Sequence, residues 1–207
     1  MSAPSLPSGF DTAKHVRSGR SDCHVTVGFD RRRQQIPRFL VQLHYQSSTM
    51  PVRWQEIARM DHNETSSTGH DIYDEGLHVD ISRRTAPTVH IHIPHGPLPQ
   101  NAGKVIRGCA EYLRQEADYF IDVFEGGRSP ANPPNWRPDG GDSRHTLIRR
   151  NVLTKRMSQE APTEDALSLE ELSEELAEAT GTTVEEIERG AEELELGPPE
   201  DGTVVDK

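Results

Sequence analysis

The stretch "GLHVDISRRTAPTVHIHIP", residues 76–94, decides the fold because it contains two runs in which apolar and polar residues alternate. Alternation with a period of two is typical of a β-strand that has one covered face. Leu77, Val79 and Ile81 share one face of the first run, and the second run repeats the pattern. The residues between the runs are few enough for a hairpin turn. We therefore expect two antiparallel strands here.

Three earlier segments show the same alternation and are also rich in Val, Ile and aromatic residues. Turn-forming residues separate these segments from one another. The predicted strands are 23–29, 38–46, 52–61, 76–83 and 88–94. The sequence thus predicts a mainly antiparallel five-stranded sheet, with hairpins after the second and fourth strands.

One long helix is predicted directly after the sheet. In residues 101–127, apolar side chains from Val105 to Phe124 recur at helical spacing, and Gly126 and Gly127 end the pattern. A single helix can cover one face of a sheet. The predicted fold class is α+β: a five-stranded antiparallel sheet with one face covered by this helix, plus an acidic C-terminal αα-hairpin.

Composition and charge divide the chain into parts. The net charge is −11, but residues 1–159 contain 21 Lys and Arg against 17 Asp and Glu, whereas residues 160–207 contain 2 against 17. Proline and glycine are concentrated near the ends and in one internal stretch. The predicted parts are a flexible arm (1–20), a sheet-and-helix domain (21–125), a Pro/Gly-rich linker (126–144), a basic segment with an acidic hairpin (145–197) and a disordered tail (198–207).

The acidic hairpin is predicted from its helix-start signals. Ser168 with Glu171 and Thr183 with Glu186 have the spacing of capping boxes, and Gly181 falls in the turn between them. The resulting pair of helices has the outline of a helix-turn-helix. The charges nevertheless disfavour DNA binding, because six Glu and one Arg lie in the second helix and phosphate contacts need Lys and Arg.

Two roles for the acidic part remain open. It could be a solvated appendage suited to a salt-adapted cytoplasm. Alternatively, it could regulate the protein by folding back on the basic body, or on the basic segment 145–157, where it would compete with an anionic substrate.

The candidate functional residues lie on the polar side of the predicted strands. Nine of the ten histidines fall within residues 15–95. If the last two strands form a hairpin, four polar side chains come within cross-strand reach. With the polar residues of the third strand and of the loop after it, the candidates are Arg59, Asp61, His62, His70, His78, Asp80, His90 and His92.

Such a face has three interpretations. Imidazoles beside carboxylates can act as general acid and base near neutral pH, and Arg59 could stabilise a phosphate charge, which would suit RNA hydrolysis without a metal. Two or three histidines with Asp80 could instead bind Zn²⁺ or another divalent cation. The face could also be solvated and have no chemical role. We interpret His15, His24 and His145 as ordinary surface residues.

Several short motifs resemble those of the TumE-type toxin family or of a related uncharacterised family of small α+β domains. They are "R-x-D-H-N" at 59–63, "GHD" at 69–71 and "H-x-D" at 78–80, set in a meander of strands that ends in one helix. The resemblance covers approximately residues 23–125. It implies the toxin component of a toxin–antitoxin pair, usually neutralised by a separately encoded helix-turn-helix antitoxin.

The resemblance implies matching residues at Arg59, Asp61, His62, Asn63, His70 and His78. Two departures from the family pattern are evident. The usual proline–histidine stretch is replaced by "ETSSTGHDIYDEG" at 64–76, which weakens the transfer of any catalytic role, and a long acidic extension follows the domain.

Cysteine usage and hydropathy set the expected compartment. Cys23 and Cys109 are far apart and have no CxxC spacing, so we expect reduced thiols and neither a disulfide framework nor a zinc knuckle. The N-terminal residues lack the apolar run of a signal peptide, and no segment approaches the length of a membrane helix. We therefore expect a cytoplasmic protein without a membrane partner.

The expected function is that of a small toxin-like or nuclease-like domain, a ribonuclease-like hydrolase that acts on RNA through the His/Asp/Arg face. Its partners would be RNA and an antitoxin-like protein. The first alternative is a non-catalytic protein-interaction module with a solvated histidine-rich face. The second is a divalent-metal-binding domain, and a divalent metal is the only cofactor considered.

Overall fold

The computed structural model describes residues 3–66, 69–136 and 166–189 of the 207-residue chain. Within these ranges the fold is α+β, with one antiparallel sheet and helices packed on one of its faces. Residues 137–144 of the predicted linker, the basic segment 145–157 and the tail 198–207 lie outside the described residues.

The sheet of the described residues has six strands, and each strand pairs antiparallel with the next one along the chain. The strands are β1 (Thr12–Val16), β2 (Cys23–Arg32), β3 (Gln35–Thr49), β4 (Val52–Asn63), β5 (His78–Arg83) and β6 (Ala86–His92). This order is a simple meander, so β1 and β6 form its two edges.

The prediction of five strands was one strand short. β1 lies in residues 1–20, which we expected to be a flexible arm, and it pairs with β2 from Thr12↔Phe29 to Val16↔Val25. The arm before β1 is also packed, because a Cβ atom at Gly28 would lie 2.8 Å from the Phe10 ring. β1 is only five residues long and its sequence, "TAKHV", has no apolar alternation that would reveal it.

The helices cover one face of the sheet, as predicted. They are α1 (Ile72–Glu75), α2 (Ala102–Gln115) and α3 (Ala117–Glu125), followed in the C-terminal part by α4 (Leu169–Thr180) and α5 (Val184–Glu188). Buried side chains of α2 and α3, such as Leu113 and Phe120, share one core with Val41, Leu43 and Val79 of the sheet. The burial of this apolar surface is the main stabilising contribution to the fold.

The single long helix predicted over residues 101–127 is two helices. Glu116 separates α2 from α3 with φ −97° and ψ 17°, outside helical geometry. Asn101 caps α2, since its side-chain oxygen accepts a hydrogen bond from the Gly103 amide at 2.8 Å. Gly126, with φ 84°, ends α3 in the left-handed conformation. Apolar spacing continues through the break, and therefore could not reveal it.

The C-terminal hairpin forms with the predicted caps. Ser168 and Thr183 each make a complete capping box, with Glu171 and Glu186 respectively. Gly181 between the two helices has φ 67°. The second helix ends at Glu188 in the described residues, and the predicted positions 190–197 lie outside them.

The hairpin docks on the body through apolar burial. Leu172 and Leu176 of α4 are fully buried and belong to the same core as the sheet and α2. Leu167 adds a short parallel pairing to Val16 of β1, with the Leu167 amide donating to the His15 carbonyl at 2.8 Å. The C-terminal helices are therefore part of the folded body.

Ion pairs surround the docked hairpin. Lys14 contacts Glu175 at 3.3 Å, and Arg31 contacts Glu178 at 3.3 Å. These pairs are exposed, so each contributes at most about 1 kcal/mol. The acidic hairpin thus contacts basic residues of the body, which a regulatory role by folding back on the body requires. These contacts lie beside α2, on the helical side of the sheet.

The structure also bears on the expectations of reduced thiols and of no membrane helix. Cys23 and Cys109 are both buried free thiols. No helix in the described part of the chain combines the length and the apolar character needed to span a membrane.

Candidate functional site

A row of polar side chains crosses the face of the sheet opposite the helices. Each of the six strands contributes one residue to this row, and each of these residues is paired with the one on the next strand. The row consists of His15, Thr26, Gln42, Arg59, Asp80 and His90. Side chains that are paired across strands lie on the same face, so the alternation in the sequence does produce a polar face.

Histidines gather where this row reaches β5 and β6. Asp80 pairs with His90, and His78 pairs with His92. The ring centre of His78 lies 3.9 Å from that of His90 and 3.6 Å from that of His70. We call His70, His78, Asp80 and His90 the histidine cluster. Nitrogen or carboxylate ligand atoms of His78, Asp80 and His90 all lie within 4.8 Å of one another.

Local structure explains how His70 reaches the cluster. The backbone amide of Asn63, at the end of β4, donates to the His70 carbonyl at 2.7 Å and so closes the loop between them. The next residue, Asp71, caps α1 by accepting a hydrogen bond from the Tyr73 amide at 2.9 Å. Gly76 then turns the chain from α1 into β5 with φ 83°, a conformation that favours glycine. The loop and α1 therefore hold His70 against the start of β5.

Two carboxylates orient the rings of the cluster. Glu75 contacts His70 Nδ1 at 2.7 Å, and Asp80 contacts His90 Nδ1 at 2.8 Å. A carboxylate at Nδ1 favours a proton on that nitrogen and leaves Nε2 as the electron-pair donor. The Glu75 contact matches the carboxylate–histidine pairs that commonly support metal ligands.

Two ring nitrogens of the cluster are buried and have no hydrogen-bond partner, namely His70 Nε2 and His78 Nδ1. A buried polar atom without a partner is unfavourable, and such atoms are uncommon in folded proteins. Two of them on rings whose centres are 3.6 Å apart therefore point to a ligand that satisfies both.

Arg59 is held between two carboxylates. Its Nη2 lies 2.9 Å from Asp80 Oδ2, and its Nε lies 4.0 Å from Asp61 Oδ1. With His90 on its other oxygen, Asp80 has a partner on each side. These contacts fix the Asp80 carboxylate in place beside the rings.

The electrostatic environment differs among the acidic and imidazole groups. Burial, together with the nearby His70 and His90, lowers the pKa of His78 to about 4. Burial alone would raise the pKa of Asp80, but the hydrogen bond from His90 and the charge of Arg59 outweigh it and lower that pKa. Burial raises the pKa of Asp61, and Arg59 opposes this effect only in part.

The cluster is open to solvent on one side. The side chain of His90 is 52% exposed, whereas those of Asp80 and His70 are 17% and 13% exposed. His92, on the edge strand, is exposed, with its ring centre 5.7 Å from that of His90. A small ligand can therefore reach the buried nitrogens past His90.

His62 does not belong to the site, and its prediction as a catalytic residue was wrong. It is 1% exposed and lies on the helical side of the sheet, with its ring centre 5.5 Å from that of Phe39 and 5.7 Å from that of Tyr73. Its Nδ1 accepts a weak hydrogen bond from the Ile72 amide at 3.4 Å. Alternation explains this position, because Arg59 and Asp61 point outward and the next residue must point inward.

Asn63 also has a local role. Its side-chain oxygen accepts hydrogen bonds from the Thr65 amide at 3.0 Å and from the Thr65 hydroxyl at 2.6 Å. This is a turn-stabilising arrangement at the end of β4. The "R-x-D-H-N" motif is therefore divided among an outward face, the core and a turn.

A second group of histidines lies at the far end of the polar row. The ring centre of His24 is 5.9 Å from that of His15 and 4.8 Å from that of Trp54. His44 is buried, and its Nε2 lies 3.0 Å from the Thr26 hydroxyl. We expected His15 and His24 to be ordinary surface residues, but both are partly buried in this group.

Sequence reasoning missed two residues near the cluster. Glu75 orients His70. The sequence signal for this contact is that Glu75 follows His70 by five residues, with the short helix α1 between them. His95 accepts a hydrogen bond at Nε2 from the Leu77 amide at 3.1 Å, which ties the end of β6 to the start of β5. No local sequence pattern predicts this contact of His95.

The fold and the site define a small α+β protein with a histidine and carboxylate cluster on the open face of a meander sheet. A family model described as a domain of unknown function (DUF7718) matches residues 12–130, and the chain belongs to that family. The matched range contains all six strands described above and α1 to α3. No curated protein and no solved structure matches the chain.

The match to a domain family of unknown function fits the expected uncharacterised family, but it does not fit a TumE-type toxin. The motifs that resemble TumE-type toxins are short, and the longest of them does not form one site in the structure. A toxin–antitoxin role and an antitoxin partner therefore lose their support.

Proposed function

We propose that the protein binds one divalent transition-metal ion at the histidine cluster. The observation that carries the proposal is the convergence of ligand atoms from His78, Asp80 and His90 within 4.8 Å. They come from two paired strands, whose register fixes their separation. A site built on strands is more rigid than one built on loops.

The donor types match the proposed ion. Imidazole nitrogen with carboxylate oxygen is a common ligand set for Zn²⁺ and its first-row neighbours, whereas Ca²⁺ and Mg²⁺ prefer oxygen alone. Metal–ligand bonds of about 2.0–2.2 Å put neighbouring ligand atoms of a tetrahedral ion about 3.3 Å apart. The ligand atoms of His78, Asp80 and His90 lie within 4.8 Å of one another, so side-chain rotations must bring them closer together to complete the site.

His70 supplies a fourth ligand in this proposal. Its Nε2 is buried without a hydrogen-bond partner, and Glu75 holds the opposite ring nitrogen. His70 and His78 are packed at 3.6 Å between ring centres, closer than two imidazoles on one ion, so binding must move them apart. At the Asp80 and His90 pair, the ion takes the place of the shared proton.

The charges around the cluster favour a cation over a polyanion. Asp61, Glu75 and Asp80 are acidic, and Arg59 is the one described basic side chain in contact with this group. Arg59 is bound to Asp80, so it is not available for a phosphate group without losing that pair. Action on RNA therefore stays a prediction that these contacts do not favour, and the interaction module stays an untested alternative.

Titration of the purified full chain with Zn²⁺, Co²⁺, Ni²⁺ and Mn²⁺ tests the proposal. The protein is first freed of metal with a chelator, and binding is followed by isothermal titration calorimetry. We expect one site per chain, with Zn²⁺ among the ions bound. The double variant His78→Ala/His90→Ala should lose stoichiometric binding, because it removes two ligands from the same ion.

His24→Ala is the matched control, since it removes an imidazole from the same face but from the distant group. It should bind metal as the parent chain does. Binding that is equal in the parent and in the double variant would assign the ion to another part of the chain and refute the proposal. Failure of the parent to bind any of the four ions would refute it as well.

A further inference from the structure

Strand β6 is an open edge of the sheet. In the described part of the chain it pairs with β5, and no strand lies on its other side. Every residue from Ala86 to His92 is exposed or half-buried. The opposite edge, β1, is partly covered by Leu167, whose amide donates to the His15 carbonyl at 2.8 Å. An open edge offers unpaired N–H and C=O groups to another strand.

The pairing pattern shows which backbone groups of β6 point outward. The amide of Ile93 donates to the carbonyl of Leu77, its opposite residue, at 2.9 Å. Hydrogen-bonded and non-hydrogen-bonded pairs alternate along an antiparallel ladder, so the odd-numbered residues of β6 are the ones bonded to β5. The even-numbered residues therefore direct their N–H and C=O groups away from β5. They are Thr88, His90 and His92.

This edge lacks the charged residues that commonly protect an edge strand. Lys, other charged side chains and Pro are the usual means by which an exposed edge resists pairing. The segment "TVHIHI", residues 88–93, contains no Lys, Arg, Asp, Glu or Pro, and Pro87 and Pro94 lie at its two ends. The segment is therefore chemically open to pairing over its whole length.

The helical side of β6 is incompletely covered. Val89 and Ile91 point to that side, because they alternate with His90 on the open face. Both pack against the core but are only half-buried, whereas Val79 and Ile81 of β5 are fully buried. Apolar surface thus borders the free edge, and a further strand in this position buries it.

The order of residues fits an antiparallel copy of the same strand. A two-fold axis at His90 pairs the outward-directed residues, His90 with the partner's His90 and Thr88 with the partner's His92. In this register Val89 lies opposite the partner's Ile91, at a non-hydrogen-bonded position where side chains are closest. Apolar side chains then meet on the helical side and polar ones on the open face, with no carboxylate or ammonium group in the strand itself.

We propose that two copies of the chain associate through β6 and join their six-stranded sheets into one continuous antiparallel sheet. Two-fold contacts of this kind are the commonest in soluble oligomers. The edge is only seven residues long, and small interfaces are usually weak and transient. We therefore expect a Kd of about 1–100 µM. The contact uses backbone groups and apolar side chains, so it does not depend on the proposed metal.

Sedimentation velocity of the full chain, with a chelator present, tests the proposal over concentrations from about 1 to 300 µM, which bracket the expected Kd. The mean mass of the parent should rise from that of one chain toward that of two. Thr88→Pro should weaken association by at least about tenfold, because it removes an outward amide from each copy. Thr88→Ala is the matched control, since it keeps that amide, and it should associate as the parent does.

Val89→Lys is a second variant, which places an ammonium group against the partner's Ile91 and should also weaken association by at least about tenfold. Its urea unfolding midpoint is measured first, because Val89 packs against the core. A parent that stays monomeric throughout, whether the edge is free or covered by another segment or protein, would overturn the proposal. Equal association of the parent, Thr88→Pro and Val89→Lys would assign the contact to another surface. Equal weakening in Thr88→Pro and Thr88→Ala would refute pairing through the backbone.

Discussion

One buried imidazole should make the protein sensitive to acid. His44 is 8% exposed, and its Nε2 lies 3.0 Å from the Thr26 hydroxyl. Burial, together with the charges of His15 and His24, lowers the pKa of His44 from 6.5 to about 4. In the unfolded chain the imidazole takes up a proton near pH 6.5. The contribution of neutral His44 to stability is therefore complete above pH 6.5 and is lost as the pH falls toward 4.

The size of this effect follows from the two pKa values. The interval between 6.5 and about 4, at about 1.4 kcal/mol for each pH unit, corresponds to about 3 kcal/mol. Between pH 7.5 and pH 4.5 most of this interval is crossed, so the loss is roughly 2.5 kcal/mol. A domain with a total stability of about 5–15 kcal/mol would show such a change clearly.

The assay compares the parent chain with His44→Gln, since glutamine can still bond to Thr26 and does not titrate. Urea unfolding is measured for both at pH 7.5 and pH 4.5 with a chelator present. The free energy of unfolding of the variant should fall by about 2 kcal/mol less than that of the parent. Carboxylates titrate in both proteins, so their contribution cancels in this difference.

His92→Gln is the matched control, because it removes an imidazole from an exposed position of the edge strand. Its free energy of unfolding should follow pH as that of the parent does. If the parent and His44→Gln lose the same free energy of unfolding over this interval, then His44 is not a buried neutral imidazole and the reasoning fails.

Three further predictions concern the cluster and the C-terminal hairpin. Asp80→Asn should weaken Zn²⁺ binding by at least about 10-fold in calorimetry, because it removes the charged carboxylate ligand and losing even an outer-shell partner costs about 10–100-fold; an unchanged affinity would exclude Asp80 from the site. Leu172→Ala should lower the free energy of unfolding by about 2–5 kcal/mol, since Leu172 is fully buried between the hairpin and the body. Glu174→Ala on the exposed side of α4 is its control and should change stability by less than about 0.5 kcal/mol; equal urea midpoints for the two variants would show that the hairpin is not docked. Gly181→Ala should lower the free energy of unfolding by about 1–2 kcal/mol, because its φ is 67° and an added Cβ would lie 2.6 Å from Gln34; an unchanged melting temperature would contradict the turn geometry.

Alternation in the sequence was sufficient to predict the faces of the sheet. "LHVDI" placed His78 and Asp80 together, and strand pairing then brought His90 beside them. The same rule, applied strictly, would have excluded His62, since it is adjacent to Asp61 in one strand. The sequence pattern ends this strand at residue 61 and places His62 in the following loop, whereas β4 continues to Asn63.

Alternation does not predict the positions of His70 and of β1, because tertiary contacts determine both. His70 follows a loop, and its position depends on the Asn63 hydrogen bond and on α1. Neither of these features produces a periodic pattern of apolar residues in the sequence. β1 has too few apolar residues to be recognised, and it is stabilised by pairing with β2 on one side and Leu167 on the other. These partners are far apart in sequence, so a local pattern does not contain them.

The docked hairpin changes how the acidic part can be studied. Removal of the chain after about residue 158 is the simplest test of whether the acidic part regulates the protein. The structure places Leu172 and Leu176 in the core, so this truncation would also expose the apolar side of α2. Charge substitutions at Glu175 and Glu178 would separate an electrostatic role from a structural one, because both side chains contact basic residues outside the core.

The most direct test of the proposed metal site is X-ray absorption spectroscopy at the zinc edge of the protein loaded with one Zn²⁺ per chain. The ligands from His70, His78, Asp80 and His90 predict nitrogen and oxygen neighbours at about 2.0–2.2 Å, with the outer-shell scattering of imidazole rings. Sulfur neighbours at about 2.3 Å would assign the ion to Cys23 or Cys109. Such a result, or a first shell without imidazole, would contradict the account.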